Sequence, residues 1–195
     1  MAQGIKTRKG NFRFLQQIID LSVESFIDDP VYAVLGKNEK SRINKLRQLF
    51  LRALYLTDVY GEIYMKFNFH NKIVACLLVL HWNRLFQNKH DYNLIFNPPG
   101  FKRGSFDFIE EFILSNFEGK HILYPLYVAV NRDYRSMNLA TELIAESSEM
   151  IRENTVIVTD ISDFTNQESL GLCKKAGIEI TCTGNYPIAY KVMGK

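Results

Sequence analysis

The chain has 195 residues, 47% of them apolar and 23% charged, with 14 Phe and 10 Tyr. That composition suits one globular domain with a full core and argues against disorder. A formal charge of +3, from 24 basic and 21 acidic residues, is too mild to imply a nucleic-acid partner, while leaving room for a local basic patch that binds a small anion.

Residues 14–26 place Phe14, Leu15, Ile18, Ile19, Val23 and Phe26 on the stripe of an amphipathic helix. The DDP at 28–30 ends it, because proline disfavours helix in the residue before it. A second helix is predicted over about 40–57, with Ile43, Leu46, Phe50, Ala53 and Leu54 on one face. The period then changes. Ile63, Met65 and Phe67 alternate with other residues as in a half-buried strand, His70-Asn71 makes a turn, and 72–82 is a more buried strand, so the pair reads as a hairpin. Residues 83–104, with NPPG at 97–100, read as a loop or partly ordered insertion.

Helical spacing resumes over 105–118, with Phe108, Ile109, Phe112 and Ile113 inward and Ser105 as candidate N-cap. ILYPLYVAV, 122–130, is expected to be a strand buried on both faces, with Pro125 marking an irregularity. A helix follows over about 138–152, on Leu139, Leu143, Ile144 and Ile151. VIVTD at 156–160 is another buried strand. Thr165-x-x-Glu168 is a capping box for a short helix that Gly177 closes, and two strands around Gly184-Asn185 complete the chain. Alternation of strand and helix in the second half implies parallel strands with crossover helices, hence a single α/β domain over residues 1–195 with a mixed sheet.

Cys76, Cys173 and Cys182 are an odd number without metal-type spacing, and the four His stand singly. This pattern points to a reducing compartment, with no metal site. The longest apolar run, 73–80, is too short to span a bilayer, and the N-terminus has no apolar segment of the secretory kind. The expected location is the cytoplasm, without a membrane partner.

The segment with chemical content is 128–141. A buried strand, a polar turn and a helix start make an anion-binding geometry, because the first N–H groups of a helix lack intrahelical partners. Arg135, with Arg132 close by, is either a charge-assisted ligand at that start or a solvated turn residue. The next strand leads into a second patterned segment, Asn166-x-x-Ser169-x-x-Leu172-Cys173-x-x-Ala176-Gly177-Ile178.

Together these segments resemble the GNAT superfamily of acetyl-CoA-dependent N-acetyltransferases. The family pattern V-x-P-x-Y-R-G-x-G-I-G is matched by Val130-Asn131-Arg132-Asp133-Tyr134-Arg135-Ser136-Met137-Asn138-Leu139-Ala140. The pattern N-x-x-A-x-x-L-Y-x-x-x-G-F is matched by Asn166 through Ile178, and FIDDP at 26–30 is similar to a loop found after the first helix in some members. The resemblance implies a central mixed sheet whose parallel strands splay apart, flanked by helices, and acetyl-CoA or coenzyme A as cofactor. It implies that the pantetheine arm pairs with Val128-Ala129-Val130 by strand addition. The pyrophosphate would then lie on Arg135, Ser136, Met137, Asn138, Leu139, Ala140 and Thr141, and Asn166 would hold the arm or serve as a residue at the helix start.

Three departures from the family pattern qualify the match. Ser136 and Asn138 replace glycines; within a helical turn no positive φ is required, so Asn138 is expected mainly to add bulk. Cys173 replaces a tyrosine that protonates the departing thiolate, so it is either a proton donor or a buried packing residue. Tyr124 stands near where some members carry a carboxylate base, which leaves Glu110 or Glu111, or a water relayed from the sheet, as base, the two glutamates being otherwise solvated helix charges. Asp28 and Asp29 either attract a cationic acceptor or merely stop the helix.

The activity implied by the resemblance is transfer of an acetyl group to a primary amine of a small molecule or peptide, by direct attack in a ternary complex, in a monomer or homodimer. The alternative is a non-catalytic, CoA-binding regulatory domain on the same fold. The sequence contains none of the motifs of P-loop, nucleophile-elbow, zincin or dinucleotide enzymes.

Overall fold

The computed structural model describes residues 6–9, 12–98, 100–101, 104, 106–147, 154–161, 167–183 and 186–193. Its seven strands form one sheet: β1 (Lys6–Lys9), β2 (Gly61–Phe67), β3 (Ile73–His81), β4 (His121–Val130), β5 (Thr155–Asp160), β6 (Glu179–Thr183) and β7 (Tyr186–Val192). Their order is β1-β2-β3-β4-β5-β7-β6. Every neighbouring pair is antiparallel except β4 and β5.

Helices cover both faces. On one lie α1 (Leu15–Phe26), α2 (Glu39–Tyr60), α3 (Trp82–Phe86), α4 (Lys89–Phe96) and α5 (Asp107–Asn116), packed with the larger core that includes Phe50, Met65, Leu78 and Tyr124. On the other, α6 (Leu139–Ser147) covers Val74, Leu77 and Leu123, and α7 (Gln167–Lys175) packs beside it. Helix α6 lies in the crossover between the parallel strands, the long connection that such strands require. No helix among the described residues is long and apolar enough to cross a membrane.

The predicted first helices and hairpin form as the periodicity dictates. Asn38 caps α2 by accepting from Ser41 N at 2.9 Å, and Asn71 adopts φ 56 in the β2–β3 turn. Gly177, at φ 63, closes α7 as expected. Residues 83–104 are not the expected loop. They carry α3 and α4, whose Trp82, Leu85, Tyr92, Ile95 and Phe96 are buried. Helices of five and eight residues are too short to display a helical period, and ring contacts such as Tyr92–Phe96 at 4.5 Å hold them in place.

Strand β1 went unpredicted, because KTRK has no apolar alternation. Strand β4 is buried on both faces only at Ile122–Tyr124; Pro125–Val128 and Val130 are half-buried. Pro125 marks the predicted irregularity. The β3–β4 register shifts between Leu78 and Val79, which pair with Tyr127 and Pro125. Helix α5 starts from Phe106 without a side-chain cap, and Ser105 lies outside the described residues, as do Thr165 and residues 148–152 of the expected helix, Ile151 among them.

Candidate functional site

The two parallel strands part company early. β4 and β5 pair only at His121–Thr155, Ile122–Val156 and Leu123–Ile157, although β4 continues to Val130 and β5 to Asp160. Just beyond the last pair, Thr159 Oγ1 donates to Pro125 O at 2.9 Å, a side chain standing in for a lost ladder bond. The β3 register determines which main-chain groups this leaves unused. Asn131 N donates to Val74 O at 2.9 Å, and partners alternate along an antiparallel ladder. Ala129 and Tyr127 therefore spend their peptide groups on β3. Those of Val128 and Val130 turn to the β5 side, where no strand pairs with them among the described residues, although the Val130 carbonyl accepts from Ser25 Oγ at 3.4 Å.

The chain leaves β4 through a 3-10 turn, Arg132–Met137, and enters α6 at Leu139. Between them Asn138 takes φ 57, ψ 19, the left-handed conformation, while its carbonyl accepts from Glu142 N at 3.1 Å. The expectation that Asn138 needs no positive φ is thus corrected. The helix starts later than its sequence pattern suggested, so residue 138 is a joint between two helical turns rather than part of one. Asparagine is the non-glycine residue that tolerates this best. The N–H groups of Leu139, Ala140 and Thr141 precede the first intrahelical donor, Glu142. Arg135, Ser136, Met137 and Asn138 are exposed, so the turn presents its main chain outward.

A negative charge sits close to this helix start. Glu142 is in the first turn of α6, and Lys66 of β2 reaches Glu142 at 2.9 Å and Glu146 at 2.6 Å. The Lys66 side chain is 5% exposed while the two carboxylates are 52% and 34% exposed, so the cluster lies just under the surface. Burial pulls the ammonium's pKa down, but the two carboxylates outweigh it and raise the net value. The cluster ties α6 to the hairpin and compensates Glu142 beside a turn that would receive an anion.

On the opposite face of the sheet, the end of β5 carries an acid that sequence reading passed over. Tyr124 donates its hydroxyl to Asp160 Oδ1. Asp160 is half-buried by surface area, yet its carboxyl is surrounded by enough protein that burial raises its pKa, against the lowering effect of the Tyr124 hydrogen bond. Tyr124 itself is pushed upward by burial and then by the Asp160 charge. Tyr32, in the 3-10 turn Pro30–Leu35, is raised by burial and by the charges of Asp160 and Asp29. The one sequence signal for Asp160 is that VIVTD, a buried strand, ends on an acid.

The other candidate residues are dispersed. Cys173 is buried in a small cluster with Ile161, Ile178 and Ala189, and burial raises its pKa, the placement of a packing residue. Glu111 is exposed on α5, and Glu110 lies 3.5 Å from Lys89. Asp28 pairs with Arg132 at 2.6 Å, so Arg132 is engaged away from the α6 start; Asp29 accepts from Val31 N at 2.9 Å as the cap of its turn. Asn166 lies outside the described residues.

The mixed sheet flanked by helices matches the fold of solved GNAT acetyltransferases. The described chain superimposes on arylalkylamine N-acetyltransferase 2 from Aedes aegypti with a TM-score of 0.67 and 17% identity, covering 97% of this chain and 99% of that one. It matches an acetyltransferase of Corynebacterium glutamicum, described as histone acetyltransferase HPA2 and related acetyltransferase, at 0.66 and 17%, covering 99% and 98%. It matches PaiA N-acetyltransferase from Thermoplasma acidophilum, solved with coenzyme A, at 0.59 and 13%, covering 97% and 99%. No protein-family model and no curated protein sequence matches the chain, so the likeness is one of fold.

Proposed function

We propose that the protein transfers an acetyl group from acetyl-CoA to a primary amine of a small molecule or peptide, by direct attack in a ternary complex. The observation that carries this reading is the peptide group of Val128 and the N–H of Val130, which no strand pairs with on the β5 side among the described residues, beside the left-handed start of α6. Those groups suit an amide-bearing arm added as a strand, and the N–H groups of Leu139, Ala140 and Thr141 with Arg135 suit a pyrophosphate. The solved neighbour PaiA holds coenzyme A.

Bound acetyl-CoA supplies an acyl carbon activated by its thioester. Val128 N–H would polarise the acyl oxygen and the same strand would orient the arm, so that positioning would do much of the work. The missing glycines do not weigh against binding, because Asn138 already holds the φ that glycine would permit.

Calorimetry with acetyl-CoA, followed by thiol release on an amine panel, tests the reading. Binding and acceptor-dependent release are expected, with Arg135→Ala weakening binding about tenfold through one charge-assisted contact. Coenzyme A binding with no release for any acceptor would make the protein a non-catalytic CoA-binding domain; no binding at all would end both readings.

A further inference from the structure

We propose that Asp160 is the subsite for the acceptor's ammonium group and the base that deprotonates it, and that its aromatic surroundings select a monoamine on an apolar stem. This rests on the acetyl-transfer reading above and names what that reading leaves open.

Along β5, Val156 and Val158 pack into the α1–α2 core while Ile157 points to α6. Alternation therefore brings Asp160 to the face opposite the α6 start, where the Tyr124 hydroxyl meets it. Asp160 is also the last residue of β5, beyond the point at which β4 and β5 stop pairing. An acceptor approaching from the α1–α2 side would reach the split from across the sheet, facing a donor held on the α6 side.

A carboxylate this surrounded by protein is ordinarily held by a cation or by several donors. Asp160 has neither. Among the described residues the Tyr124 hydroxyl on Oδ1 is the only side chain that donates to it, and no lysine or arginine pairs with it. An ionised carboxylate offers about four acceptor positions, so Oδ2 remains available. The absent counter-charge is what a bound ammonium would supply.

The surroundings restrict what can carry that ammonium. Tyr124 is in edge contact with Phe96 at 5.3 Å between ring centroids. Tyr32, whose hydroxyl senses both Asp160 and Asp29, meets Phe101 edge-on at 6.2 Å, and Phe101 lies 5.8 Å from Phe106. Ring faces favour a cation and an apolar stem, and offer little to a hydroxyl-rich sugar or a second ammonium.

Asp160 takes one proton from the ammonium, and the freed nitrogen lone pair forms the C–N bond to the acyl carbon. The C–S bond breaks, its electron pair leaving on sulfur, and the second N–H proton goes to the thiolate. The first proton returns from Asp160 to solvent. A carboxyl pKa raised by burial suits this work near neutral pH better than an ordinary one.

The test is steady-state acetylation of phenethylamine and of spermidine, with acetyl-CoA affinity measured in parallel. Asp160→Asn is expected to bind acetyl-CoA within about twofold of wild type, which shows that it folds, and to lose turnover on the order of a hundredfold. It should also lose the rising limb of the pH–rate profile. Tyr124→Phe removes a contact that lowers the Asp160 pKa, so that limb should move to higher pH with about a tenfold loss of rate, a displacement that a merely structural role would not cause. Phenethylamine should exceed spermidine in kcat/KM. If Asp160→Asn turned over like wild type, or spermidine were preferred, the inference would be overturned while acetyl transfer stood; absence of acetyl-CoA binding in wild type would overturn both.

Discussion

The hairpin β2–β3 and the parallel pair β4–β5 are built from equally apolar strands and end differently. β2 pairs with β3 along its whole length, and every residue of Ile73–Leu80 is buried. β4 and β5 pair at three positions and then separate, leaving main-chain groups and an acid between the halves of the sheet. A complete ladder can only stabilise. An incomplete one, held open by Thr159 and by the bulge at Pro125, has hydrogen-bonding capacity left for a ligand. The contrast locates function more sharply than any single side chain does.

Breaking the closed half should cost most in stability. Leu78 is wholly buried in β3, and Leu78→Ala should lower unfolding free energy by about 3 kcal/mol, read by urea denaturation. The seam between the halves comes next. Replacing both Glu142 and Glu146 by glutamine leaves the Lys66 ammonium enclosed without a counter-charge, which should cost about 2 kcal/mol, between the values for exposed and buried pairs. The sign of its pH dependence follows from the raised Lys66 pKa. The contribution is complete below the ordinary lysine value and is lost as pH rises through the raised one, so the wild-type advantage should vanish only in strong alkali.

The smallest effect on stability belongs to the open half, where the effect on binding should be larger. Asn138→Val forces a β-branched residue to φ 57 and should cost about 1 kcal/mol in denaturation while weakening acetyl-CoA measurably; Asn138→Gly should be near neutral in both. Asp160→Asn should show the opposite trade. Because folding raises the Asp160 pKa, the stability it lends is greatest in acid and falls as pH rises through that raised value. The asparagine variant should therefore melt higher than wild type at neutral pH while losing turnover.

Much of the closed half was legible because its signals are local. Ile63, Met65 and Phe67 alternate, Leu46, Phe50, Ala53 and Leu54 share a helical face, and His70-Asn71 is a turn at the level of two residues. The open half was legible in order but not in geometry. Strand, turn and helix from Val128 to Thr141 follow from the sequence pattern, as does the resemblance they carry. The left-handed Asn138 does not, because its φ depends on where a 3-10 turn yields to α6. Asp160 was missed for a different reason. Its partner Tyr124 lies far from it in sequence, and only packing shows that this acid ending a strand meets no cation among the described residues. β7 inserts between β5 and β6, a choice that the order of elements leaves open.

The central claim is that the split between β4 and β5 receives an amide-bearing acyl donor through Val128 and Val130. Residue-resolved amide hydrogen exchange tests it directly, with and without saturating acetyl-CoA. The account predicts that the Val128 and Val130 amides exchange more slowly when the ligand is bound, while Ala129 and Tyr127, already bonded to β3, change little. Acetyl-CoA binding that left Val128 and Val130 unchanged, or slowed all four residues alike, would contradict it.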